Sequence, residues 1–577
     1  MLFIALSFAG EASHNRSGEI LYKRIAPYSN VSGPVYTYSI TIIKYTDTGV
    51  GIADRCVDTI FPGDGTKLVA PRINGLTSCS CGSLNSTAIG CGEIIFSVQG
   101  YQVKKNIYSI VHTYSVSGTY LIRSSDLYRT SGSSSIPNSG TVDFYIESKI
   151  VIDPLQSYEM NSSPVLSNPP VDMGIVGACY YHNPCAYDAD GDSLSFETGP
   201  CLRFSGPITG YSYPGPGSFS IDGVTGLLTW CSPQSQGEFN VVILVKEWRK
   251  KTCTGIYEMI GYVSRDLQIL IGTGTTFTLS GPSLTDGCVV AGSNFSKTFS
   301  ANTPSNVTVS VYGSASTGQS PASITPSTGL ASGTFTFSWL PPCDMAQQKS
   351  NRVHLVYSQP GTTSNLRLYR QFNVNVMPPS PNVFSVTKDT GKVLLKWHQP
   401  PGCGGNLVGY NIYRKAGSNT WSPVPCQYGV PSVSGFSLIG NVTPADSSFT
   451  DNNLSGLFNG STCNYLVTSV MNNCVESPPD NVHTLNLIVG IRQFPVNGSD
   501  SRIYPIPCGD ELTVELTNAA AAGNQIILFA VDGKEIFKSG TLESSTLTIP
   551  MGHLKPGLYL LMIKTRDGQS FRKIVKE

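Results

Sequence analysis

The sequence predicts an all-β protein made of several β-sandwich domains in tandem. Short segments of alternating apolar and polar residues recur along almost the whole chain, and no long amphipathic helical pattern interrupts them. Glycine and proline account for 58 and 38 of the 577 residues, which is typical of short strands joined by tight turns. A chain of this length is too long for one hydrophobic core, so we expect about four or five domains.

Charge and hydropathy exclude some classes of partner. Lys+Arg and Asp+Glu both number 38, so the formal net charge is zero. Nucleic acids and anionic membranes bind basic patches, and we therefore expect neither as a partner. No segment approaches the ~18 consecutive apolar residues of a membrane-spanning helix, so no transmembrane segment is expected.

Changes in composition mark the domain boundaries. The proline cluster Pro378-Pro-Ser-Pro381 is the clearest of them. The predicted parts are a signal-peptide remnant at residues 1–12, β-sandwiches at 13–155, 156–272, 273–377 and 378–490, a linker at 491–500 and a small C-terminal β-sandwich at 501–577.

The N-terminus and the cysteines both indicate export. Met1–Ala9 is an apolar run, and Gly10-Glu11-Ala12 resembles a small-x-small cleavage site. The chain has 16 cysteines, and no Cys or His spacing matches a zinc site, so we expect disulfides formed in an oxidising compartment. The favoured local pairs are Cys463 with Cys474, and Cys179 or Cys185 with Cys201.

Short motifs are scattered through the first two domains. They are Ser13-His14 followed by Gly18-Glu19-Ile20, Ile136-Pro-Asn-Ser139 followed by Val142-Asp-Phe-Tyr145, and Arg265-Asp-Leu-Gln-Ile269. This series resembles the N-terminal region of large extracellular proteins of gliding bacteria that use type IX secretion. The resemblance implies a surface location but no defined biochemical activity.

Two central domains carry motifs of known β-sandwich families. In the second domain, Asp188-Ala-Asp-Gly-Asp-Ser-Leu194 and Ile221–Trp230 resemble a cadherin-like, immunoglobulin-like domain. In residues 378–490, the strands Val393–Trp397, Val408–Arg414 and Tyr465–Val470 resemble strands of a fibronectin type III domain. Trp397 and Tyr465 are then expected in the core, with Tyr465 near the tyrosine-corner position of that fold. The third sandwich is expected to be Ig-like.

An ordered series of motifs fills the last 75 or so residues. It resembles the type A C-terminal sorting domain of type IX secretion cargo, with Ile506 where Asn is usual between two prolines. The resemblance implies the type IX secretion machinery as a partner. It also implies passage through the periplasm to the extracellular space or the outer-membrane surface of a Gram-negative bacterium. The residues that carry the sorting signal are Tyr504, Pro505, Pro507, Gly533, Lys534, Pro556, Gly557, Tyr559 and Lys573.

No catalytic motif is present, and one turn is a candidate cation site. The sequence has no H-E-x-x-H, G-x-S-x-G, P-loop or G-x-G-x-x-G pattern, and its seven histidines are scattered. Asp188, Asp190 and Asp192 alternate in an apparent turn beside Gly191, which helps the backbone curl. Oxygen ligands in a flexible loop suit Ca²⁺, and a solvated turn without any metal is the alternative.

We therefore expect a secreted or cell-surface structural or adhesive protein with no enzymatic activity, whose glycan or protein ligand the sequence does not identify. Two alternatives come from other classes. One is a carbohydrate-binding accessory protein that stacks sugars on Tyr211, Tyr213 or Trp421, which a coplanar row of exposed aromatics would favour. The other is a hydrolase with a site in residues 13–272, which a deep pocket with clustered carboxylates and histidine would favour.

Overall fold

The computed structural model describes most of the chain between residues 15 and 577. The described residues are 15–25, 29–30, 33–34, 36–48, 54–75, 87–88, 92–98, 101–152, 161–250, 256–302, 307–318, 320–328, 333–347, 349–360, 365–389, 392–424, 426–454, 462–471, 475–486, 501–516, 524–542, 544–565 and 568–577. The expected signal peptide at 1–12, the linker at 491–500 and Cys474 lie outside them.

Strands make up the regular structure of the first 272 residues. The strands up to residue 152 are β1 Asn15–Arg24, β2 Ser29–Asn30, β3 Gly33–Pro34, β4 Tyr36–Asp47, β5 Asp54–Arg55, β6 Val57–Ile60, β7 Leu68–Pro71, β8 Thr87–Ala88, β9 Glu93–Val98, β10 Tyr101–Tyr114, β11 Gly118–Asp126 and β12 Phe144–Ile152. Those that follow are β13 Val165–Leu166, β14 Val171–Ile175, β15 Tyr180–His182, β16 Ala186–Tyr187, β17 Ser193–Gly199, β18 Leu202–Arg203, β19 Gly206–Pro207, β20 Ser218–Ile221, β21 Leu228–Cys231, β22 Gly237–Lys250 and β23 Tyr257–Gly272.

A ten-stranded sheet joins the first two predicted domains. Its main path runs β11-β12-β23-β1-β4-β10-β9, and β14, β17 and β22 attach beside it. The long strand β23 pairs with β1 and β12 from the first predicted domain and with β14 and β22 from the second. The predicted boundary at 155/156 therefore divides the sequence but not the sheet.

Two residues of the N-terminal motifs meet inside this sheet. Arg265 on β23 donates to both carboxylate oxygens of Glu19 on β1, at 2.5 and 2.7 Å, and both side chains are fully buried. Removing either partner would leave an uncompensated buried charge, which is strongly destabilising. The pair therefore fixes the contact between two segments that lie far apart in the sequence.

Residues 287–377 form a separate sandwich of four plus three strands. One sheet has the order β24-β30-β29-β26 and the other β25-β28-β27. Phe299, Phe337 and Phe372 pack between them, with ring centroids 5.1–5.3 Å apart in the two contacts to Phe372. The strands are β24 Gly287–Val290, β25 Phe295–Ala301, β26 Thr308–Gly313, β27 Ser323–Thr325, β28 Gly333–Trp339, β29 Asn351–Pro360 and β30 Asn365–Met377.

Residues 382–486 form a three-plus-four sandwich in which the expected core residues are buried. Trp397 on β32 packs on Tyr410 on β33, with centroids 5.2 Å apart, and the Tyr465 hydroxyl donates to buried Asp451 at 2.9 Å. The two sheets are β31-β32-β35 and β34-β33-β36-β37. The strands are β31 Asn382–Asp389, β32 Lys392–His398, β33 Leu407–Ala416, β34 Ser437–Val442, β35 Ser448–Asp451, β36 Thr462–Met471 and β37 His483–Asn486.

The C-terminal residues form a third three-plus-four sandwich. Its sheets are β38-β39-β42 and β41-β40-β43-β44, around a core that includes Leu512, Leu528 and Leu561. The strands are β38 Ser501–Tyr504, β39 Glu511–Leu516, β40 Gln525–Ala530, β41 Glu535–Lys538, β42 Thr546–Pro550, β43 Gly557–Thr565 and β44 Gly568–Lys576. Helical structure in the described residues is limited to short 3-10 turns at Ser139–Thr141, Ser314–Ser316, Cys343–Met345, Gly404–Asn406 and Ser432–Ser434. The predicted all-β fold of tandem sandwiches is confirmed.

Three disulfides lie among the described residues, and one local prediction was wrong. Cys179 pairs with Cys231 rather than with Cys201, because Tyr180 is opposite Trp230 in the β15–β21 ladder and places the two cysteines side by side. Cys185 and Cys201 are instead buried thiols. The other two disulfides, Cys288–Cys426 and Cys343–Cys403, both join residues 287–377 to the fibronectin-like sandwich.

Candidate functional site

The aspartate-rich segment forms a tight turn between β16 and β17. The Oδ1 atom of Asp188 accepts from the backbone amides of Asp190 and Asp192, both at 2.9 Å. Gly191 has φ +85°, and a Cβ there would lie only 2.4 Å from Gln347 Oε1, so both backbone and space favour glycine. With Oδ1 used by the turn, Asp188 Oδ2 is buried and has no hydrogen-bond partner among the described residues.

A fourth carboxylate comes to the turn from a neighbouring strand. Glu247 lies on β22 opposite Leu194 of β17 and is fully buried. Its Oε2 accepts from Asn161 Nδ2 at 2.5 Å, while its Oε1 has no partner among the described residues. One ligand atom from each of Asp188, Asp192 and Glu247 lies within 4.8 Å of the others.

The remaining acidic groups are held by protein donors. Arg249 Nε donates to Asp192 Oδ1 at 2.8 Å, and its Nη2 contacts Oδ2 of the same residue. Asp190 Oδ2 accepts from the Ser162 amide at 2.7 Å, and Lys349 Nζ donates to the Asp192 carbonyl at 2.6 Å. The acidic cluster, defined as Asp188, Asp190, Asp192 and Glu247, is thus flanked by two cations, Arg249 and Lys349.

The charges of this cluster do not balance. If all four carboxylates were ionised, the two cations would leave a net charge of −2 in a largely buried volume. Burial, and then the charge of Asp188, raises the pKa of Glu247 well above its usual value and raises that of Asp190 to about 7. Burial also lowers the pKa of Lys349 to about 8. Either proton uptake or a divalent cation would relieve the excess negative charge.

The structure changes the ligand set expected from the sequence. Asp188 and Asp192 come together with Glu247, whereas the Asp190 carboxylate faces the Ser162 amide and lies outside this group of three. The three carboxylates lie close enough for oxygens to share one Ca²⁺ at 2.3–2.6 Å, which requires ligand atoms within about 5 Å of each other. The two unpartnered buried oxygens of Asp188 and Glu247 are the feature that fits a cation best.

The expected sugar-stacking residues do not form a coplanar row. The rings of Tyr211 and Tyr213 are inclined at 77°, and the Tyr211 hydroxyl donates to the Asn240 carbonyl at 3.0 Å. Trp421 is half-buried and packs edge-on against Phe436. These three residues therefore offer no flat platform for a sugar ring.

A cavity of about 180 Å³ lies beside β14 and β15. Its lining includes Met173, Tyr180, Phe277 and Leu368, and Arg367 is its one ionised side chain. General acid–base hydrolysis needs a carboxylate or histidine at the reacting bond, and this cavity presents neither.

The expected sorting-signal residues occupy turns and exposed strand positions of the C-terminal sandwich. Gly533, with φ +85°, lies in the β40–β41 hairpin, where the Lys534 amide donates to Asp532 at 3.0 Å. Tyr504 is 47% exposed on β38, next to Pro505 and Pro507. Pro556 and Gly557 precede or begin β43, Tyr559 donates to the Lys555 carbonyl, and Lys573 lies opposite Leu560.

The fold and these residues define a multidomain β-sandwich protein with a separate C-terminal module. Residues 502–577 match the family described as a secretion system C-terminal sorting domain. The C-terminal sandwich is therefore a sorting domain, which confirms the predicted resemblance to type IX secretion cargo, and it follows tandem β-sandwiches. No helix of the described residues is both long and apolar enough to span a membrane.

Other comparisons add little. No curated protein matches the sequence significantly. A crystal structure of chicken CNTN1 FN1-FN3 domains is 13% identical, covers 50% of this chain and 99% of its own, and has a TM-score of 0.16. A structure of titin domains I67-I69, an E-to-A variant, is 9% identical, covers 56% and 96%, and has a TM-score of 0.19. With TM-scores this low, we base nothing on either.

Proposed function

We propose that this protein is a structural or adhesive component of the bacterial surface or its surroundings, with no catalytic activity, delivered by type IX secretion. The observation that carries the proposal is the sorting-domain match at residues 502–577, which follow a series of β-sandwiches in the sequence. Two disulfides join consecutive sandwiches, which suits a protein that transmits force or presents a surface outside the cell.

Removal of residues 501–577 in the native host tests the export step. We expect the truncated chain to accumulate in the periplasm, and a periplasmic reporter fused to residues 501–577 to reach the medium or the cell surface. Normal export of the truncated chain would contradict the proposal.

Attachment assays test the adhesive role. Cells that lack the protein should bind less well to glycan- or protein-coated surfaces, and purified exported protein should compete with wild-type cells for the same coating. Unchanged attachment on every coating would leave only a structural role.

We also propose that the acidic cluster binds Ca²⁺, with Asp188, Asp192 and Glu247 as ligands. The support is the pair of buried, unpartnered oxygens on Asp188 and Glu247, together with the placing of four carboxylates beside only two cations. Extracellular modules need affinities of only ~0.1–1 mM. If Ca²⁺ binds only the folded form at 10 to 100 times its dissociation constant, it stabilises that form by about 1–3 kcal/mol.

Thermal unfolding of the full chain in millimolar Ca²⁺ and in chelator measures this effect. The Glu247→Gln variant should lose the calcium-dependent shift. Asp190→Asn is the matched control and should keep it, because that carboxylate faces the Ser162 amide. The same shift in wild type and Glu247→Gln, or no shift in wild type, would contradict the site.

A further inference from the structure

A buried lysine lies between two buried aspartates in residues 15–152. Lys44 is on β4, and its Nζ is 2.5 Å from Asp58 Oδ2 and 3.3 Å from Asp126 Oδ2. The side chains are 2%, 5% and 7% exposed, respectively, so water has little access to the three groups. We propose that Lys44 and Asp58 form an intramolecular amide bond, with Asp126 as the proton-transfer group.

The two aspartates are held in different ways, which assigns their roles. Asp58 Oδ1 accepts from the Thr59 amide at 2.7 Å and from Ser124 Oγ at 3.2 Å, while its Oδ2 faces the lysine. Two donors on one oxygen would stabilise the negative charge that develops there when an amine attacks the carboxyl carbon. Asp58 is therefore the electrophile, and Oδ2 is the oxygen that leaves.

Asp126 is arranged to remain a base. Its Oδ1 is paired with Arg55 at 2.8 Å and accepts from the Leu127 amide at 2.8 Å, while its Oδ2 accepts from Asn15 Nδ2 at 3.2 Å and faces Lys44. Burial would raise the pKa of Asp126, but the charges of Lys44 and Arg55 outweigh it and lower that pKa. At Asp58, burial dominates and raises the pKa, which favours the protonated acid that an amine can attack.

The reaction balances without a co-reactant. Burial would lower the pKa of Lys44, but Asp126 and Asp58 together raise it, so the reaction starts from the ammonium. Asp126 relays one ammonium proton to the Asp58 carboxylate, and the neutral Nζ attacks Cγ. As the Nζ–Cγ bond forms, Asp126 relays a second proton from Nζ to Oδ2. The Cγ–Oδ2 bond then breaks and one water leaves. One proton stays on the amide nitrogen, and Asp126 ends as it began, ionised.

The position of the bond gives it a mechanical role. Lys44 lies within the ten-stranded sheet, opposite Gly18 and Asn106, whereas Asp58 lies on β6 of the separate β6–β7 hairpin. Apolar residues of both elements share one core. An amide there would join the hairpin to the sheet covalently, and unlike a disulfide it would persist under reducing conditions.

Tryptic mapping of the exported, reduced and alkylated protein tests the bond. A cross-linked Lys44 resists trypsin, so we expect residues 25–55 joined to 56–67, with a mass lower than the sum of the two peptides by one water. Lys246 is an internal control, because it pairs with Glu197 at 2.7 Å at an exposed position and should remain cleavable. Asp126→Asn should restore cleavage after Lys44, whereas Asp64→Asn, on an outer turn, should not.

Cleavage after Lys44 in the reduced and alkylated wild-type protein would overturn the proposal, whatever the variants do. A join between residues 25–55 and 124–129 would overturn the assignment of Asp58 as the acceptor.

Discussion

His354 should make the sandwich of residues 287–377 sensitive to mild acid. The residue lies on β29, opposite Tyr312 and Gln371, is 2% exposed, and its Nε2 has no hydrogen-bond partner among the described residues. Burial, assisted by the charge of Arg352, lowers its pKa from 6.5 to about 3. The imidazole is therefore neutral in the folded protein at neutral pH.

The direction and size of the effect follow from this shift. The unfolded chain binds a proton at His354 below pH 6.5, whereas the folded chain does so only near pH 3. This contribution to stability is complete above pH 6.5 and is lost as the pH falls, by about 1.4 kcal/mol per pH unit. Between pH 7 and pH 5 the loss is about 2 kcal/mol.

Two measurements check this prediction. Chemical denaturation of the full chain at pH 7 and pH 5 should show this loss of stability for residues 287–377. The His354→Leu variant should lose about 2 kcal/mol less between the two pH values, because its unfolded form has one histidine fewer to protonate. Carbon-13 labelling of the seven histidines allows direct titration of the ring. A His354 signal that titrates near pH 6.5 in the folded protein would refute the reasoning.

Two further predictions concern the contacts of the same sandwich. Replacing Cys343 and Cys403 by serine opens a 60-residue loop and should destabilise the paired domains by about 4 kcal/mol in the chain-entropy description; an unchanged calorimetric transition would contradict this. Arg367 Nη1 lies 2.8 Å from Asp172 Oδ1 across the contact with residues 161–272. Asp172→Ala would remove the ion-pair partner of this largely buried arginine and should lower the free energy of unfolding in chemical denaturation by about 3–5 kcal/mol. Glu197→Ala, at an exposed ion pair, is its control and should cost less than about 1 kcal/mol.

The sequence predicted the all-β fold but not Glu247, the residue that completes the acidic cluster. Strand β22 contains an apolar alternating run in which Val241, Ile243 and Val245 are fully buried. Glu247 continues the same alternation and is also fully buried. Period-2 spacing could therefore have identified it as an inward-facing carboxylate. What the sequence could not give is its partner, because only the β17–β22 register brings it to Asp188.

Long-range pairing also explains the two other differences. The choice of Cys231 as the partner of Cys179 depends on the β15–β21 ladder, because the two cysteines are 52 residues apart in the sequence. The joining of the first two predicted domains depends on β23, which reaches back to β1 from the far end of the second domain. The C-terminal sorting domain could be predicted from the sequence because its motifs are local turns and strands that follow one another in order.

Consecutive domains are joined in two chemically different ways. Residues 287–377 are bound to the fibronectin-like sandwich by two disulfides, which neither protons nor cations alter. Their contact with residues 161–272 instead uses charges: Arg367 pairs with buried Asp172, and Lys349 donates to the carbonyl of Asp192 in the acidic cluster. Burial would raise the pKa of Asp172, but Arg367 and His182 outweigh it and lower that pKa, so protonation in acid weakens this contact. A change in pH or in calcium should therefore act on the contact between residues 161–272 and 287–377, and leave the disulfide-linked contact intact.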